Sequence, residues 1–166
     1  MMTNSWLILA TKIALTLWLF ALSVKDHLHR RIPNGLVLPV MFGALAWQVY
    51  IAITTKANAL GFIALAWVAI FMLWRAHIFG GGDAKFLMAL FALFPSVEFL
   101  CFFSLVVLLV SLPLLLAQAV KTRESPFRRL AEGLHGLPTA DDLRRHGRPY
   151  CWTLALPGAI YLWWVL

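Results

Sequence analysis

Long apolar runs broken by short polar clusters dominate the chain. Trp6–Val24, Leu36–Thr55, Ala59–Trp74, Val97–Val120 and Pro149–Leu166 are each apolar over about the 20 residues that a membrane crossing needs. A further apolar run, Ala84–Phe94, ends at Pro95 and covers only about 16 Å as a helix, short of a hydrocarbon core of about 30 Å. That helix is expected either to start deep within a polar cavity or to continue through Pro95, and the deep start is preferred. Pro113 is expected to kink the fifth span, and Pro157-Gly158 lies in the middle of the sixth.

The polar clusters set the topology. Lys25–Arg31 closes the first span with a basic group, and Lys121–Arg148 forms one long charged loop. Within that loop Ser125-Pro126 and the spacing of Phe127, Leu130, Ala131 and Leu134 predict a surface helix over 126–135. All of the 14 Lys and Arg except Lys12 and Lys56 then fall on one side, the cytoplasmic side. The pattern predicts one all-α polytopic membrane domain over residues 1–166, with about six transmembrane helices and both termini outside. Lys12 is expected to snorkel from the first span toward the nearer interface.

Composition agrees. Of the 166 residues, 62% are hydrophobic and 13% charged, against about 25% charged in soluble domains. The net charge of +7 is accounted for by loop charges beside apolar segments, so nucleic acid is not an expected partner and membrane lipid is. Cys101 and Cys151 are far apart and form no CxxC pair. Met1–Ser5 carries no basic n-region, so a cleavable signal is not expected.

Outside the long loop the acids are Asp26, Asp83 and Glu98. An acid at a membrane edge is costly and reads as functional by default. Asp26 stands among the cations at the end of span one. Asp83 follows Gly80, Gly81 and Gly82, which are expected to admit close approach or positive φ. An even number of crossings returns the chain, so both acids share one face. Two carboxyls brought together hold one proton between them. The ionised group can activate water while the protonated one polarises a carbonyl, which is acid–base peptide hydrolysis. Plainer roles stand beside this: Asp83 as the N-cap of the fourth helix, Asp26 as an incidental member of a topogenic cluster, and Asn34, after Pro33, as the N-cap of the second helix.

No rival site competes well. Ser23, Ser96, Ser104 and Ser111 lack a His with an acid behind it on the same side. His27 and His29 lack a third convergent ligand, and Gly80–Lys85 lacks the P-loop spacing. Neither metal nor organic cofactor is expected.

Two motifs carry a resemblance. Asp26 is followed by Arg30-Arg31-Ile32-Pro33-Asn34, and Gly80-Gly81-Gly82-Asp83 is followed by Lys85. The chain resembles the type IV prepilin peptidase family of GxGD intramembrane aspartyl proteases, most closely its short TadV/CpaA class. A weaker echo is the last span, with Pro149-Tyr150, Ala155 and Pro157-Gly158; Cys151 and Trp152 stand where the family often has a Gly. The resemblance implies that Asp26 and Asp83 are the catalytic pair. It implies that type IV and Flp-type prepilins and pseudopilins are the substrates, cut at the cytoplasmic face of a bacterial inner membrane. It does not extend to the larger relatives' N-methyltransferase activity, because the extra cytoplasmic region of those relatives is not seen. Lys85 is expected to act on a carboxyl or a headgroup, and Arg30 and Arg31 on anionic lipid or substrate. The competing class is a small transporter or pilus-assembly subunit whose two acids bind an ion or relay a proton. A presenilin-like protease fits less well, since Ile-Pro-Asn follows Asp26.

Overall fold

The computed structural model describes residues 5–29, 32–55, 59–76, 80–122 and 151–164, with 114–122 as backbone. The described secondary structure is entirely helical. The helices are α1 (Ser5–His29), α2 (Asn34–Thr55), α3 (Ala59–Arg75), α4 (Gly81–Leu93), α5 (Val97–Thr122) and α6 (Cys151–Trp164). Arg30, Arg31, His77, the turn at 56–58, the expected helix over 126–135 and Pro149-Tyr150 lie outside the described residues.

The helices follow the apolar runs, with adjusted ends. α1 continues past Val24 through Lys25–His29, because nothing in that cluster breaks a helix before Pro33. α2 starts when the Pro33 carbonyl accepts from Leu36 N–H at 3.1 Å and Val37 N–H at 3.4 Å. α4 does not run through Pro95. It ends at Leu93, and the chain turns over Phe94–Ser96. Ser96 Oγ then accepts from Phe99 N–H at 3.1 Å and caps α5. With 13 residues, α4 is about 20 Å long.

α4 is the most enclosed helix. It packs against α2, α3 and α6, and no residue from Gly82 to Leu93 is exposed. α6 packs in turn against α1 and α5. Small residues bring these helices together: a β-carbon on Gly158 of α6 would lie 2.8 Å from Leu90 Cδ2 of α4 and 3.7 Å from Leu19 Cδ1 of α1. Indole N–H groups bridge the helices where apolar contact alone gives no direction. Trp18 donates to the Leu36 carbonyl at 2.8 Å, Trp67 to the Met88 carbonyl at 2.9 Å, and Trp163 to Thr16 Oγ1 at 2.9 Å. Lys12 holds its ammonium 5.9 Å from the centroid of the Trp163 ring. The end of α4 away from Asp83 is fastened by aromatic packing, with Phe99 4.9 Å from both Phe94 and Tyr161 between ring centroids.

The outer surface is apolar. Trp6, Leu17, Phe20, Ile53, Leu65 and Leu109 are all exposed. Contiguous apolar surface of this kind marks contact with a membrane or a partner. α1 and α2 are long and apolar enough to cross a membrane, and α3 and Val97–Pro113 are shorter apolar helices.

Candidate active site

Asp26 sits on α1 three residues before its end at His29, and only 8% of it is exposed. Its Oδ2 accepts from the main-chain N–H of Cys151, at the start of α6, at 3.1 Å. Cys151 is fully buried, and its side chain lies near Ser23, one turn before Asp26 on α1.

Asp83 is the third residue of α4 and is half-buried. It lies near enough to Asp26 to feel its charge, and Cys151 lies within electrostatic reach of both. Asp83 does not cap the helix. The cap position is Gly80, extended at φ −64° and ψ 149°, with no side-chain cap hydrogen bond. Ala84 N–H instead donates to the Gly80 carbonyl at 3.0 Å. In the first turn of α4 the Asp83 carboxylate still faces the positive end of the helix dipole.

The glycines serve by leaving space, not by positive φ. A β-carbon on Gly80 would lie 3.2 Å from Asp83 Oδ2, and one on Gly82 would lie 3.1 Å from Ile32 Cβ. One on Gly81 would lie 3.4 Å from Trp74 Nε1, at the end of α3. The segment before α2 and the start of α4 thus interlock. Asn34 takes part through its side chain: it does not cap α2, and its Oδ1 accepts from Lys85 Nζ at 3.0 Å. Pro33 acts through its carbonyl, which opens α2 and leaves the Asn34 amide for Lys85.

The structure therefore gathers Asp26, Asp83, Gly80, Gly81, Gly82, Lys85, Pro33 and Asn34 at one end of the bundle. Cys151 and Ser23 join them without having been foreseen as site residues. Cys151 stands 125 residues from Asp26, and its contribution is a main-chain N–H that no side-chain pattern announces. Among the described residues, no group of His, Cys, Asp or Glu side chains could hold a metal ion. Two carboxyls at one end of the bundle, one of them held by a main-chain N–H, are groups able to pass protons to and from a reacting group.

No curated protein and no solved structure matches the chain. The type IV leader peptidase family matches residues 13–116, which takes in both the Asp26–Asn34 segment and the Gly80–Lys85 segment. Over that match, the chain belongs to the type IV leader peptidase family.

Proposed function

We propose that the chain is a multi-pass intramembrane aspartyl endopeptidase. It removes the leader peptide of type IV and Flp-type prepilins and pseudopilins at the cytoplasmic face of a bacterial inner membrane. This reading is supported by the start of α4, which bears Asp83, lying against Ile32 and Asn34, just after the end of α1 that bears Asp26. The two acids come from different helices, near the end of α1 and at the start of α4, where an apolar bundle gives way to polar chain.

One carboxylate takes a proton from water as the hydroxyl adds to the scissile carbonyl carbon. The partner carboxyl gives its proton to the carbonyl oxygen. The gem-diol then collapses: the C–N bond breaks, the first carboxyl hands its proton to the departing nitrogen, and the partner carboxylate takes back a proton from a gem-diol hydroxyl, restoring the pair. Asn34, Lys85 and the three glycines shape the site, and Arg30 and Arg31 meet anionic headgroups or the leader. A prepilin, with its basic leader and apolar stem, would lie in the bilayer much as this chain's own helices do, with its scissile bond near the headgroups.

The test is leader removal from a prepilin in proteoliposomes. Asp26→Asn and Asp83→Asn are each expected to lower the rate by at least about 10²-fold. Helicity and thermal midpoint should stay near wild type. Near-normal cleavage by either folded variant removes that residue from the pair.

A further inference from the structure

We infer that the main-chain N–H of Cys151 is the positioning group for Asp26, so that the start of α6 completes the site. This rests on the assignment of Asp26 to the catalytic pair. Asp26 lies in the last turns of α1, where carbonyl groups give the helix end a partial negative charge. That is a poor place for a carboxylate, and burial makes it worse. Among the described residues the N–H of Cys151 is the donor that answers this carboxylate, at 3.1 Å. It ties Oδ2, and Oδ1 would take the reacting water.

The donor is itself held in place. Cys151 is fully buried, and its side chain lies near Ser23. Ser23 Oγ donates to the Leu19 carbonyl at 2.9 Å. Ser23 and Asp26 are one turn apart on the same face of α1. The start of α6 thus meets α1 twice, with the Cys151 side chain beside Ser23 and its backbone N–H bonded to Asp26. Farther along, Gly158 seats α6 against Leu19 and Leu90, which sets the height of Cys151 relative to both carboxyls. Because the donor is main chain, any residue except Pro supplies it. A cysteine in place of a glycine is compatible with the same task.

The experiment compares three full-length variants with wild type and Asp26→Asn in the prepilin cleavage assay. Cys151→Ala keeps the N–H. Cys151→Pro removes it at a position near a helix start, where Pro is tolerated. A backbone ester at residue 151, made by incorporating the α-hydroxy analogue of alanine, replaces the N–H with oxygen and differs from Cys151→Ala in that group alone.

The expected result is a kcat roughly tenfold or more lower for the ester than for the Ala variant. KM should stay within about twofold and helicity should be unchanged. A kcat for the ester equal to that of the Ala variant overturns the inference. If the Pro variant does not fold, the ester decides. Wild type that fails to cleave, or Asp26→Asn that cleaves normally, would instead bring down the assignment of Asp26.

Discussion

The side chain of Ile32 rests against the α-carbon of Gly82, so close that a β-carbon there would lie 3.1 Å from Ile32 Cβ. Ile32 Cβ is fixed to the backbone and cannot swing aside. Asp83 is the next residue, so the spacing between the segment before α2 and the start of α4 also sets the position of a carboxyl.

Gly82→Ala is therefore expected to push α4 away from Ile32. The overpacking should cost about 1–3 kcal/mol and lower leader cleavage more than that loss of stability explains. Thermal unfolding in detergent and cleavage rates measured side by side check this. A variant with both near wild type would show that the contact does not govern the site.

Gly158 tests the bundle itself. Its added β-carbon would meet Leu90 Cδ2 at 2.8 Å, with Leu19 behind. Gly158→Ala is expected to destabilise by about 1–3 kcal/mol. Leu90→Ala alone should cost about 2–5 kcal/mol by leaving a cavity. In the double variant the new methyl meets the vacated space, so the combined loss should fall short of the sum, which a double-mutant cycle measures.

The Lys85–Asn34 hydrogen bond joins the two motifs at 3.0 Å, near the surface. Lys85→Met and Asn34→Ala are each expected to slow cleavage, and the double variant should be little worse than either. The coupling should be about 0.5–1.5 kcal/mol, with the lower end favoured by exposure. Strict additivity in cleavage and stability would show that the pair does not act as a unit.

The helical plan was legible because an apolar run closed by charge or by proline needs no tertiary information. Trp6–Val24 and Leu36–Thr55 lie inside α1 and α2. Pro95 marked the one uncertain junction, and the turn through Phe94–Ser96 resolves it. Asp26 and Asp83 were legible as acids out of place in apolar surroundings. Their supports were less so. Asn34 and Asp83 both have the chemistry of helix caps, but Pro33 and Gly80 occupy those positions, and the two side chains turn to the site. The role of Gly82 depends on a neighbour 50 positions away, and that of Cys151 on a peptide N–H. Neither leaves a periodic trace along the chain.

The enclosure of α4 decides how a client can reach Asp83. Among the described residues α2, α3 and α6 already flank it, and Gly82–Leu93 are buried or half-buried, which leaves little room for another helix alongside. Approach is left lengthwise, over the uncovered Gly80 and Gly81. A prepilin of the proposed kind would then thread a narrow, unwound strand of itself down onto the tip of that helix, with its own coiled stem outside among the acyl chains.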